Sequence, residues 1–306
     1  RVIQLAERHD LKVLGILLAP PAYISTCPER WPDAGRCAAA DTERFGELAG
    51  EVAEYAKDSI RHWEIVNEPD GEWAFEGTPE EYAVMLSAAY DGIKERVPGA
   101  QVLMGGLMRP HEPAWLERVF ATPGADALNK FDIANVHLRG PVDAVVRRYG
   151  EVRSRLAALG FNGPLWVTEH GYPADPFFQA DRAYAGGDAS QAAYLVQSLV
   201  GLGEAGEPQV FVTLRDNLEG EYASEGLVHI GEAPGLATSR RPSFDAVQRL
   251  TVLWDRVMAW RAEQREHERL MRRDQEAAAA SAAAYRAALP AFRAARVDPI
   301  RALRHD

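Results

Sequence analysis

The stretch Trp63-Glu64-Ile65-Val66-Asn67-Glu68-Pro69 decides how this chain is read. A short apolar run of strand type ends abruptly in an amide, a carboxylate and a proline. Leu165-Trp166-Val167-Thr168-Glu169-His170-Gly171-Tyr172 repeats the design farther on, again with a glutamate where the apolar run stops. In a β/α barrel, catalytic groups sit at the C-terminal ends of several strands. A carboxylate at each of two strand ends therefore reads as one site assembled from two distant segments.

Working outward, four more apolar runs have the same character: Lys12–Leu18, Val102–Met104, Phe131–Val136 and Val210–Leu214. Continuous apolar runs are expected of strands buried on both faces. Amphipathic helical patterns lie between them. Thr78-Pro79-Glu80-Glu81 reads as a capping box with proline at the first helical position, ahead of apolar Tyr82, Met85, Leu86, Ala89, Ile93 and Val97. Asp143–Leu159 stops at Gly160, and Asp188–Leu202 and Ser243–Trp260 keep the helical period. Strands alternating with helices predict βαβ units and a parallel sheet. A dinucleotide-binding sheet needs a glycine-rich turn after its first strand. Ala19-Pro20-Pro21-Ala22-Tyr23 stands there instead. Polar residues end nearly every run, including His137 with Arg139 and Arg215-Asp216-Asn217. The expected fold class is therefore α/β, of the (β/α)8 barrel type.

Composition bounds the function. The 306 residues are 47% apolar and 26% charged, an ordinary balance with ample core. Two cysteines exclude a disulfide scaffold or a Cys-rich metal site. A net charge of −11 argues against nucleic acid as a partner. No apolar run is long enough to span a membrane. No His/Asp/Glu cluster has metal-ligand spacing along the chain, so neither a catalytic metal nor any other cofactor is expected. Residues 251–306 carry 11 Arg against 8 Asp+Glu, whereas residues 1–250 carry 23 Lys+Arg against 37 Asp+Glu. That shift divides an acidic barrel, 1–260, from an Ala/Arg-rich helical tail, 261–306.

Two carboxylates flanking a bond are what glycoside hydrolysis requires: one protonates the leaving oxygen, the other attacks the anomeric carbon. Asn67-Glu68-Pro69 and Thr168-Glu169-His170-Gly171 resemble the catalytic fourth and seventh strands of the clan A glycoside hydrolases, retaining enzymes on a (β/α)8 barrel. Leu214-Arg215-Asp216-Asn217, Gly226-Leu227-Val228 and Arg241-Pro242-Ser243-Phe244-Asp245-Ala246 are similar to the eighth strand and closing helix of the family 39-like branch, which includes β-xylosidases and exopolysaccharide hydrolases. The resemblance covers about residues 1–260. It implies a carbohydrate substrate, Glu68 as general acid/base and Glu169 as nucleophile. It further implies Asn67 as the partner of the sugar 2-hydroxyl and His137 as the residue that orients the nucleophile, a position also open to a structural histidine. Glu68, as the acid, is expected to hold its proton to a higher pH than Glu169.

Tyr172 and Trp73 are candidates for stacking on a sugar ring, as are Tyr23, Trp31 and Phe75, with loop packing as the alternative. Arg139 and Arg215 point toward the mouth of the barrel. They either bind an acidic sugar or pair with Asp216, Glu219 or the catalytic glutamates.

If Lys12–Leu18 is the third strand of such a barrel, strands 1 and 2 are not in this sequence. Two open sheet edges then invite self-association. Cys27 and Cys37 have nine residues between them. A disulfide, which suits a secreted or periplasmic enzyme, and two free thiols both fit that spacing. The segment from Pro290 to Arg304 resembles the cytoplasmic end of macrolide-exporter-type ABC permeases, with no membrane segment beside it. Two functions follow: a retaining glycosidase, or a non-catalytic carbohydrate-binding or scaffold remnant of one.

Overall fold

In the computed structural model, residues 2–30, 36–110, 112–174, 186–203, 209–211, 227 and 240–295 are described. Six strands occur among them: β1 (Val13–Leu17), β2 (Ile60–Ile65), β3 (Gln101–Met104), β4 (Ala134–Leu138), β5 (Leu165–His170) and β6 (Gln209–Phe211). They match the six apolar runs, shifted by one to three residues at the ends. The helices are α1 (Val2–Arg8), α2 (Thr42–Tyr55), α3 (Pro79–Arg96), α4 (Pro113–Ala121), α5 (Val142–Ala158), α6 (Asp188–Gly203) and α7 (Pro242–Ala295).

All strand pairs are parallel, and they follow the chain order: β1-β2-β3 form one ladder and β4-β5-β6 another. Parallel bridges Leu103–Ile133 and Leu107–Val136 join the two ladders. The Met104 amide donates to the Ile133 carbonyl at 3.1 Å, and the His137 amide donates to that of Leu107 at 2.9 Å. Crossovers between parallel strands are right-handed as a rule, so unbroken sequential order puts the connecting helices on one face, and α2, α3, α4 and α5 share one apolar core with the strands. That is the winding of a barrel wall, whereas a doubly wound sheet reverses its strand order. Among the described residues the structure thus shows an arc of six parallel strands, and a closed eight-stranded barrel is not seen among them. Among the described residues, β1 pairs only with β2 and β6 only with β5.

The core lies between the arc and its helices. Trp63, Ile65, Val102, Met104, Val136, Leu138, Leu165 and Val167 pack on Phe45 and Ala49 of α2, Tyr82, Leu86 and Ile93 of α3, and Val145 and Leu156 of α5. By the strand period of two, Glu64, Asn135, His137 and Thr168 take the opposite, concave face. The Thr78 capping box is formed in full, with its hydroxyl accepting from the Glu81 amide and the Glu81 carboxylate accepting from the Thr78 amide. Gly160 follows α5 at φ +103°, a conformation that strains any side chain.

At the β1 edge, Ile16 is 42% exposed and Leu18 60% exposed, so apolar surface does stand open there. The chain separates into two units, Arg1–Thr251 and Val252–Asp306, a division that falls inside α7. Among the described residues, no helix is long and apolar enough to cross a membrane. Helix runs on through the Ala-rich segment as far as Ala295, and the rest of the permease-like stretch lies outside the described residues.

Cys27 and Cys37 are joined in a disulfide, with Cα atoms 6.2 Å apart. Closing a loop of this size stabilises by about 3 kcal/mol in the chain-entropy account. The paired substitution Cys27→Ser/Cys37→Ser should lower the unfolding free energy by about that amount in urea titrations. An unchanged midpoint would show the bridge to be dispensable.

Candidate active site

Every group at the site is carried by the C-terminal edge of the arc. Beyond Ile65, Val66 and Glu68 both adopt left-handed backbone, at φ 64° and 45°. Such geometry is an outlier for a β-branched residue and costs of order 1–3 kcal/mol. Neighbouring elements hold it in place. The Val66 amide continues the ladder by donating to the Leu17 carbonyl at 3.0 Å. The Tyr82 hydroxyl accepts from the Gly105 amide at 2.7 Å and donates to the Ile65 carbonyl at 3.3 Å. The Asp70 carboxylate accepts the Met108 and Arg109 amides at 2.9 and 2.6 Å, fastening the loop after β2 to the one after β3.

The kinked backbone brings Glu68 into contact with His137. Glu68 Oε1 lies 2.8 Å from His137 Nδ1, and Trp73 Nε1 donates to Glu68 Oε2 at 2.5 Å. Glu169 Oε2 lies 3.7 Å from the same Nδ1, and Arg139 donates to it at 3.3 Å. Thus His137 stands between the two glutamates and is nearer to Glu68 than to Glu169, the residue it was expected to orient. A Cβ on Gly106 would lie 2.1 Å from His137 Nε2, so only glycine admits the ring here. Nε2 is 3.2 Å from the Thr168 hydroxyl. That hydroxyl donates to Asn135 Oδ1 at 2.8 Å, and the Thr168 amide donates to the same oxygen at 3.2 Å.

Burial pushes the Glu68 carboxyl up, but hydrogen bonds from His137 and Trp73 outweigh it and hold the group below the usual carboxylate range. That direction is opposite to the one expected of an acid. Burial lowers His137, yet Glu68, Glu169 and Glu64 together raise it above the ordinary histidine value. Glu68, His137 and Glu169 each offer one potential metal-ligand atom, all within 4.8 Å of one another. This three-donor convergence comes from three separate strand ends, so spacing along the chain does not reveal it. In the structure these atoms are engaged with one another and with Trp73 and Arg139.

The remaining candidates divide. Asn67 is half-buried beside Glu68, and its side chain makes no hydrogen bond among the described residues. Trp73 is 45% exposed, with the Arg109 guanidinium 5.0 Å from its ring centre. Arg139 takes the alternative of pairing with a glutamate. Tyr172 departs from the expectation of a sugar platform. It is only 5% exposed and packs on Tyr194 with ring centres 4.8 Å apart, because α6 covers it. Arg215 and Trp31, with the rest of the eighth-strand motif apart from Leu227, lie outside the described residues.

Glu64, Asn135 and Thr168 also belong to the site, and no motif in the sequence singles them out. Glu64 is a charge set between apolar Trp63 and Ile65 in a strand that also carries Arg61 and His62. Its carboxyl is fully buried, and its Oε1 accepts the Gly106 amide at 2.9 Å. Burial above all, with the Glu169 charge added, raises it to about 7.

No family model and no curated protein matches the chain. Solved structures do match in fold. A family 39 glycoside hydrolase from Bacteroides cellulosilyticus WH2 is similar over 80% of this chain and 52% of its own, at 18% identity and a TM-score of 0.58. A monomeric β-xylosidase from Caulobacter crescentus CB15 is similar over 69% and 47%, at 19% identity and 0.53. A family 128 endo-β-1,3-glucanase from Sorangium cellulosum is similar over 79% and 81%, at 14% identity and 0.54. The chain spans about half the length of the first two. At these identities the likeness establishes an α/β fold similar to glycoside hydrolase barrels.

A folded-state value raised from 4.5 to about 7 means that native Glu64 keeps a proton which the unfolded chain releases. Its contribution to stability is full below about pH 4.5 and is lost as the pH rises to about 7. Chemical denaturation over that range should show Glu64→Gln declining less than the unsubstituted chain. Parallel curves would contradict the burial argument.

Proposed function

We propose that the chain is a retaining glycoside hydrolase, cleaving O-glycosidic bonds of an oligo- or polysaccharide by double displacement with Glu68 and Glu169. The observation that carries this reading is the approach of these two carboxylates, with the His137 ring between them, to within 4.8 Å at the strand ends. Retaining enzymes hold their carboxyl groups about 5–5.5 Å apart, whereas inverting enzymes need about 6.5–9.5 Å to admit a water. The short approach supports the first geometry, as does the likeness of the fold to glycoside hydrolase barrels.

In this reading Glu169, oriented by Arg139, attacks the anomeric carbon. Glu68 protonates the departing oxygen and then, as carboxylate, takes a proton from the water that releases the sugar. Asn67 holds the 2-hydroxyl, a bond that strengthens in the transition state. Trp73 both donates to Glu68 and offers its exposed ring surface to a sugar.

The second reading is a carbohydrate-binding barrel without turnover. It is favoured by the Glu68 carboxyl, which His137 and Trp73 both engage and which is held below the usual carboxylate range, not above it as an acid requires.

Turnover of aryl β-glycosides separates the two. The expected outcome is hydrolysis, with the first-formed sugar keeping its anomeric configuration in proton NMR. Glu169→Ala should abolish turnover. Glu68→Ala should slow poor leaving groups by about 100-fold or more while sparing good ones, because only poor ones need a proton. Inversion, or equal losses on both leaving groups, would overturn the assignment. Sugar binding without turnover would establish the second reading.

A further inference from the structure

We propose that Thr168 and Asn135 are positioning residues that fix which nitrogen of His137 carries the proton, and thereby make the His137–Glu68 contact a one-proton bond from which Glu68 draws its acid proton. This rests on the assignment of Glu68 as the acid.

One donor in the network is fixed by its chemistry, a backbone amide. The Thr168 amide donates to the Asn135 side chain at 3.2 Å. A backbone N–H can only meet an oxygen, so the atom there is Oδ1 and not the amide nitrogen. The Thr168 hydroxyl, 2.8 Å from the same oxygen and also hydrogen-bonded with the Glu64 carboxyl, spends its only proton on this acceptor side and not on the ring. With that proton spent, the hydroxyl presents lone pairs to His137 Nε2 at 3.2 Å. Nε2 therefore carries hydrogen whether the ring is neutral or charged.

The consequence falls on the other nitrogen. With Nε2–H fixed, only one proton remains for Nδ1 and Glu68 Oε1, which lie 2.8 Å apart. In one state the pair is imidazolium and carboxylate. In the other the proton has moved to Oε1, leaving a neutral ring and a carboxylic acid. Net charge is the same in both, so the move separates no charge from the pair. The resting state is the first, since Glu68 is held low and His137 high. When Glu68 gives its proton to a departing oxygen, a carboxylate and a neutral Nε2–H ring remain. A neutral ring protonated on Nδ1 instead would donate to Glu68 and keep it ionised. The acid therefore depends on two uncharged side chains that act on Glu68 only through His137. The titratable groups acting on the ring are Glu64 of β2, Glu68 beyond it and Glu169 of β5.

Thr168→Val removes the hydroxyl with little change of shape, and Thr168→Ser restores it. Nitrogen-15 spectra of the histidine rings in the full chain should show His137 protonated at Nε2 across the pH range. In Thr168→Val the neutral ring should shift toward the Nδ1–H form, and Thr168→Ser should return it. In kinetics, Thr168→Val should lose about 10-fold or more on poor leaving groups relative to good ones, with Thr168→Ser recovering most of the loss. A neutral His137 protonated at Nδ1 in the unsubstituted chain would overturn the inference, with or without turnover. Equal losses on both leaving groups in a folded Thr168→Val would overturn it as well. If the chain hydrolyses no glycoside, the spectra still decide the proton's position, and the functional reading fails separately.

Discussion

The 2.8 Å contact between His137 and Glu68 ties together two halves of a sheet that are otherwise joined by few strand bonds. Glu68 belongs to the turn after β2, and His137 lies within β4. The strained backbone at Val66 and Glu68, the glycine at 106 and the buried Asn135–Thr168 pair all serve to place these two groups within reach. Local strain of this kind persists only where the surroundings over-determine it. Here Tyr82, Asp70 and the ladder to β1 do so, each through hydrogen bonds to main-chain groups. The core beneath is ordinary close packing of apolar residues from the arc and its helices. The polar face above is where the fold departs from it.

That face gathers three glutamates and one histidine in a largely buried space. Like charges so close cannot all be ionised cheaply, and they divide the work by environment. Glu64, sealed from water, keeps its proton to about pH 7. Glu68, in hydrogen-bond contact with His137 and Trp73, is held below the usual carboxylate range. His137 takes up the charge that the others would otherwise leave unbalanced. In a medium of low dielectric each of these contacts counts for more than on the surface, and an incomplete one would cost correspondingly more. Whether Glu68 acts as an acid is therefore a property of the cluster.

Much of this was legible in the sequence. The six strands, the capping box at Thr78, the stop at Gly160 and the two carboxylates at strand ends follow from short-range pattern and turn chemistry. Such signals survive because neighbouring residues decide them. What pattern could not supply was the partner of each group. His137 lies closer to Glu68 than to Glu169 because of the left-handed turn at 66–68, and no sequence rule assigns left-handed backbone to valine. Tyr172 follows a strand end, as a platform would, but the next helix, α6, buries it against Tyr194. Pattern does not single out Glu64, because β2 also holds Arg61, an exposed charge, and only the fold shows which of the two is buried. Asn135 and Thr168 were passed over because their role depends on hydrogen-bond direction, which only coordinates reveal. The two cysteines left a choice between bridge and free thiols, which the structure resolves as a bridge.

Double displacement requires that a Glu169 carboxylate oxygen bond to the sugar while Glu68 moves the proton. A panel of activated aryl 2-deoxy-2-fluoro-β-glycosides, whose fluorine slows release of the sugar, tests this by trapping any covalent intermediate. Peptide mass spectrometry should find one added fluoroglycosyl group, on the peptide bearing Glu169 and on no other. The same adduct should form in Glu68→Ala and be missing in Glu169→Ala. An adduct on Glu68, or no adduct from sugars whose unfluorinated glycosides the chain hydrolyses, would contradict the account.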